Sequence, residues 1–398
     1  MSNKSLTIKS AILQSVYFAA FGSIMAFAVV ILTDRGFSTT QIGLLLAIGG
    51  IITAILQPMI GTFADNSHNF SVKSIISGLS VLALVLLGVF LIIPNNLLLV
   101  SIVFALISIT LSCVAPLVNA LIFEYINAGI QINFGVTRGV GSLAFAGMTS
   151  LVGLVIAQFS ASAIPVMSIL FTILLFLSVR LFPKIDVQKM KHIAHEEDKQ
   201  TFLQFVGKYK RFFPFLLGQV FIFVFHTMLF TYLLQVLLRV GGTQSDFGLS
   251  LSISAISELP VMLGFSFLAH RMKITKLLKI GAAFYVLRAI LILSAGSVMM
   301  VNLIQLLQAF SFAVITPAVV YYVNSRMKDH DKVKGQALIA GANTVGSVVG
   351  NLLGGFLHDN FGVIFMLQIG AVFAVLGLVL YLYGAIDVSS GEVDIILD

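Results

Sequence analysis

The chain has 398 residues, of which 59% are hydrophobic and 10% charged, with a net charge of +7. Soluble domains carry roughly 25% charged residues, so this composition excludes an ordinary water-soluble globular protein. Apolar runs of about 20 residues recur along most of the length, each long enough to cross a ~30 Å hydrocarbon core. They are continuous and about twice the length of a barrel strand, which selects helices among the structures a bilayer permits. The expected fold class is an all-α polytopic membrane protein with twelve transmembrane helices in two six-helix bundles.

In chain order, hydropathy and helix punctuation predict spans near 10–32, 41–63, 74–94, 97–125, 137–158 and 162–182. The first run, Ser10 to Leu32, is longer than the apolar core of a signal peptide and has no small-residue cleavage site after it, so a cleaved leader is not expected. Pro183 to Arg211 is the one long polar segment, with KIDVQKMKHIAHEEDK at its centre. It reads as a linker, with a short amphipathic helix lying on the membrane surface. A second set of spans follows near 212–237, 246–269, 277–296, 299–324, 335–357 and 362–384. The domain organisation is therefore 1–182, a linker at 183–211, and 212–398.

The charges orient these spans. An even number of helices puts both termini on one side. Of the 23 basic residues, all but Arg35, Arg239, Arg138 and Arg288 fall in segments on that side or at the helix ends bordering it. Arg35 and Arg239 lie on the other side, and Arg138 and Arg288 fall in or beside helices. The excess identifies the terminal side as cytoplasmic, which predicts a multi-pass protein of the cell membrane with both termini inside. The basic balance is thus a topological signal, and no nucleic-acid partner is expected. Cys113 is the single cysteine, so no intrachain disulfide forms. CxxC, HExxH, P-loop and GxGxxG patterns are absent from the sequence, and neither metal, cofactor nor enzymatic activity is expected. A monomer is expected.

Two halves are also visible as a repeat. QIGLLLAI at 41–48 matches DFGLSLSI at 246–253, and each opens the second span of its half. Parallel repeats about a central linker characterise one large class of secondary transporters. The loop after the second span, QPMIGTFADN (57–66), resembles the G-x-x-x-D signature of the major facilitator superfamily, with Gly61 and Asp65 in the matching places. FGVTRGVGSLAF (134–145) resembles an element of the lactose permease group of that superfamily, placing Arg138, Gly141 and Phe145 on its key positions. SLSISAISELP (250–260) is similar to an element of the phenylpropionate and nucleoside permease relatives, with Glu258 at its acidic position. FYVLRAI (284–290) puts Arg288 where lactose permease has an arginine. In the tenth span the chain departs from that group: LIQLLQAFSF (303–312) has Gln305, Gln308 and Ser311 where lactose permease has lysine, histidine and glutamate.

The resemblance implies a proton symporter for a small polar solute: a sugar, a nucleoside or a small aromatic acid. Its partners are then the solute, the proton and the lipid bilayer. Gly61 and Asp65 would belong to a loop that switches with conformation. Ionisable groups inside a bilayer are costly and default to function. Glu124, Arg138, Asn119, Phe145 and Gln308 are candidates for substrate binding, although Glu124 stands one position from the permease glutamate. Glu258, Arg288 and His226 are candidates for proton coupling, with Glu258 as the carrier that discharges when Arg288 approaches. Gln14, Tyr17, Gln219, Tyr232, Gln235, Gln305 and Asn343 are polar groups that line a cavity or bond between helices. The Gly346, Gly350, Gly354 stripe reads as close helix packing. Two other readings share this fold: an efflux antiporter for amphiphiles or lipids, favoured by the 34 phenylalanines, and more remotely a non-transporting receptor.

Overall fold

The computed structural model describes residues 3–67, 70–183, 208–209 and 211–385. The expected amphipathic helix of the linker lies outside these residues. Among the described residues, fourteen α-helices follow one another. The first half contains α1 (Asn3–Met25), α2 (Ala28–Asp34), α3 (Thr39–Asn66), α4 (Val72–Ile92), α5 (Leu97–Asn127), α6 (Phe134–Phe159) and α7 (Ala163–Arg180). The second contains α8 (Phe212–Thr231), α9 (Leu233–Arg239), α10 (Gln244–Arg271), α11 (Ile274–Ser294), α12 (Val298–Gln305), α13 (Phe312–Arg326) and α14 (Asp329–Gly384).

These helices make twelve membrane spans. The first span is α1 continued by α2, and the seventh is α8 continued by α9. The tenth is α12 and α13 joined by a tight 3-10 turn at Leu306–Ala309. Helix α14 is 56 residues long, more than twice the length a bilayer requires. Gly362 divides it, with φ of 83° and ψ of 170°, a backbone state that suits a residue lacking Cβ. Before that glycine, Gly346, Gly350 and Gly354 touch α8 progressively later in sequence, from Val220 and Phe223 through Val224 and Thr227 to Met228. After it, Gly370 meets Phe225 and Gly384 meets Phe215, so the chain runs back along the same helix. The glycine stripe packs α14 against α8.

The repeat at an offset of 205 residues extends well beyond the sequence match. Ser38 and Thr243 open α3 and α10, each with a reciprocal capping box closed by Gln41 and Asp246. The breaks at Phe27 and Tyr232 stand 205 residues apart, as do the left-handed glycines Gly36 and Gly241. Arg35 donates to the carbonyls of Phe90 (3.0 Å) and Ile93 (3.3 Å), while Arg239 donates to those of Leu293 (3.1 Å) and Ala295 (2.9 Å). These two arginines, the exceptions to the basic asymmetry, satisfy carbonyls at helix C-termini, where cations are favoured.

Within each half the spans pack on one another. Between halves, α3 lies against α14 and α6 against α10. At the end away from the termini this junction is tight. The carboxylate of Asp359 accepts from the backbone nitrogens of Thr39 (3.2 Å) and Thr40 (2.7 Å) and from the Thr39 hydroxyl (2.5 Å). An acidic group from α14 thus closes the N-terminus of α3 from across the molecule, adding to the local Ser38 cap. On the other side of the junction, the backbones of Gly153 and Gly248 approach so closely that a Cβ on Gly248 would stand 2.5 Å from the Thr149 carbonyl. Near the other end, Gly61 on α3, Gly264 on α10 and Gly341 on α14 face open space. There the segment before α8 is tied to the first turn of α14: Lys208 (2.5 Å) and Tyr209 (2.7 Å) both donate to Asp331. Burial and this hydrogen bond push the Tyr209 phenol up to about 12.

Candidate functional site

Two adjacent cavities with shared wall residues lie between the halves. The one nearer the termini has a volume of about 320 Å³ and is walled by Phe18, Phe21, Phe145, Phe230 and Phe312. Its polar groups are Arg138, Ser142, His226, Ser254, Glu258 and Gln308. Arg138 enters from α6, stacks over the Phe18 ring at 4.3 Å and donates to Ser142 Oγ at 3.0 Å. The ring face holds the guanidinium by a cation–π contact, and the residue lines a space that a ligand can fill. Glu258, from α10, lines the same cavity from the opposite half.

Helix α10 carries Glu258 two residues before Pro260, in a run of serines and apolar residues. Gln308 Nε2 donates to Glu258 Oε1 at 3.0 Å, and Gln308 Oε1 accepts from Arg288. Arg288 also donates to Gln305 Oε1. It is 4% exposed, so the cation sits behind the cavity wall rather than in it. Gln305 immediately precedes the 3-10 turn of the tenth span and Gln308 lies within it, so Arg288 ties the turn to the end of α12. Glu258 and Arg288 therefore communicate through one amide, Gln308, whose nitrogen serves the acid and whose oxygen serves the base. Short helical breaks of this kind recur where backbone must adapt at a site.

His226, on α8, stacks on Phe312 with centroids 4.7 Å apart, and its Nδ1 is 3.2 Å from the Tyr285 hydroxyl. Asn119 accepts from Gln14 at 2.8 Å and holds α1 to α5; it does not line the cavities. Glu124 stands half-buried near the end of α5, also outside both cavities, while the Arg138 guanidinium goes to Phe18 and Ser142. Asp65 is in the last turn of α3, and its side chain is outside the described set. The structure thus brings Arg138, Phe145, His226, Glu258 and Gln308 together around one space, with Arg288 directly behind.

Three features were not anticipated from the sequence. The aromatic wall draws on Phe18, Phe21, Phe230 and Phe312, four of 34 phenylalanines with no sequence mark of their own. Gln305 stands beside Gln308 as the second acceptor of Arg288. The Asp359 closure could have been noticed from the acidic residue in HDN (358–360) at a predicted helix end.

A family model described as MFS_1 like family matches residues 8–369. The chain belongs to that family. Among solved structures, a point mutant of the nucleoside transporter NupG superposes with a TM-score of 0.80 at 18% identity, covering 95% of this chain and 98% of that one. The unmutated NupG structure gives 0.77 at the same identity. A bacterial homologue of the iron transporter ferroportin, in an inward-facing state, gives 0.70 at 13% identity, covering 97% of this chain and 100% of that one. No curated protein sequence matches the chain. This protein is a membrane transporter of the major facilitator type, with the twelve-span fold, and belongs to a family of carriers rather than enzymes.

Proposed function

We propose that this transporter is a proton symporter for a small polar solute with a planar or ring-shaped part. The observation that carries the reading is Glu258, a carboxyl group inside the cavity, facing Arg138 across it and bonded to Arg288 only through Gln308. A carboxyl group removed from water favours its neutral form, and a nearby cation reverses that preference. Movement of the Gln308–Arg288 pair relative to Glu258 then loads or releases a proton. Substrate bound between Arg138 and Gln308 alters that geometry, which links the two ligands thermodynamically. The phenylalanine walls suit a ring, and the likeness to a nucleoside transporter supports a nucleoside among the candidates. The same aromatic wall also favours a second reading, efflux of amphiphiles.

Glu258→Gln mimics the permanently protonated form. It should exchange substrate across a vesicle membrane yet fail to accumulate it on a pH gradient. Retained gradient-driven accumulation by this variant removes Glu258 from the coupling role. Uptake and efflux measured on the same vesicles separate the two readings.

The termini lie in the cytoplasm of a cell-membrane protein, an orientation that rests on the distribution of basic residues. The tightly packed end then faces outward, and the cavities open inward. A cysteine at Lys191, in a Cys113→Ser background, should resist an impermeant thiol reagent added to intact cells. Rapid labelling from outside reverses the orientation.

A further inference from the structure

The second cavity, about 420 Å³ in volume, lies on the sealed side of the first and shares Phe21, Phe145 and Phe230 with it. Its chemistry is different. Among the described residues, no acidic, basic or histidine side chain lines it; its polar groups are amides and hydroxyls. A charged moiety there would lose hydration without finding a counter-charge. A neutral one would not.

The amides are held from behind. Asn343, Ser347 and Asn351 occupy α14 at intervals of four, so they share one helix face. Helix α8 supplies a partner to each. Gln219 Nε2 donates to Asn343 Oδ1 (2.7 Å), Thr227 Oγ1 to Ser347 Oγ (3.2 Å) and Thr231 Oγ1 to Asn351 Oδ1 (2.9 Å). Gln219 is itself fixed by the Tyr381 hydroxyl, which donates to its Oε1. Each bond occupies the acceptor on α14. The amide nitrogens of Asn343 and Asn351 and the Ser347 hydroxyl proton have no protein acceptor among the described residues. Three oriented donors, spaced about 6 Å apart along the helix, therefore border the cavity. Across from them Gln57 donates to the Ser112 carbonyl (2.9 Å), which leaves its own carbonyl oxygen as an acceptor.

We propose that this neutral cavity is a second binding subsite for an uncharged, polyhydroxylated group such as a glycosyl unit. The substrate is then bipartite: its ring portion lies among the phenylalanines near Arg138 and Glu258, and its hydroxyls meet the α14 donors. The inference rests on the proposed transport of a ring-bearing polar solute, and names where the second part of that solute goes. A hydroxyl oxygen accepts from the α14 groups while its proton remains for Gln57, a fit that a purely apolar or an ionised group lacks.

Binding calorimetry on the purified chain in detergent tests it with matched pairs, uridine against uracil and phenyl galactoside against phenol. No gradient is involved, so failure of proton coupling and failure of the subsite are read in different experiments. For at least one pair the glycosylated member should bind about tenfold more tightly than its aglycone. Ser347→Ala removes one donor. Asn351→Asp keeps the acceptor for Thr231 and removes another. Each should reduce that preference about threefold to tenfold and leave aglycone affinity unchanged. Ser347→Ala keeps the test valid if Asn351→Asp does not fold. If no glycosylated compound binds more tightly than its aglycone, or if the variants weaken both members equally, the subsite is overturned.

Discussion

Arg138 and Arg288 are the same residue type, one in each half, yet they live in different surroundings. Arg138 is exposed to the cavity, held by a ring face and one hydroxyl. Arg288 is buried, and its terminal nitrogens are committed to two glutamines, one just before a helix break and one within it. The difference teaches that an intramembrane charge is not by itself a binding group. A guanidinium with donors to spare recognises a ligand. One whose terminal donors are engaged holds the protein in shape, and acts on the site through what it holds.

The pair can be broken by substituting each arginine in turn. Arg288→Met strands two glutamine oxygens and releases the 3-10 turn, and breaking a buried charged network costs about 3–5 kcal/mol. Thermal unfolding in detergent should show a large loss of stability. Arg138→Met should unfold close to the unmodified protein while losing substrate binding. Equal losses of stability in both variants would collapse the distinction.

A milder change sharpens it. Arg138→Lys keeps the charge and loses the planar fork of donors. Substrate affinity, measured by calorimetry, should fall about tenfold or more, since charge-assisted bidentate bonds are among the stronger ones. Unchanged affinity would leave Arg138 as a general source of positive potential.

The smallest effect concerns the sealed end, beyond the second cavity from Arg138. Asp359→Asn keeps one acceptor oxygen, so either Thr39 or Thr40 but not both stays bonded, and it removes the charge from the α3 N-terminus, a loss of about 1 kcal/mol. That end should open a few-fold more often. A cysteine at Thr53, in the Cys113→Ser background, should react about twofold to fivefold faster with an impermeant reagent added on that face. An unchanged rate would mean that the glycine approach at Gly153 and Gly248 suffices to keep the end closed.

Much of this molecule is legible in its amino-acid sequence. The twelve spans follow from hydropathy, and the halves from a short repeat that proves to carry capping boxes, helix breaks and left-handed glycines in register. Such features are local. A cap, a positive φ or an apolar run is decided within a few residues, and sequence adjacency records it. Arg138, Phe145, Glu258 and Gln308 are also visible there, because a polar or aromatic residue in a family-like pattern stands out against an apolar helix.

What tertiary structure alone decided is who meets whom. Arg288 and Glu258 were expected to approach each other directly; the fold places Gln308 between them, because the tenth span breaks into a 3-10 turn and brings both glutamines onto the arginine. Thr39 and Asp359 meet across 320 residues of chain. The donors of Asn343, Ser347 and Asn351 become available only because α8 occupies the acceptors beside them. Hydrogen-bond partners within a bilayer are chosen by packing, since every polar group must find one inside the protein, and a linear sequence does not record which helix lies next to which.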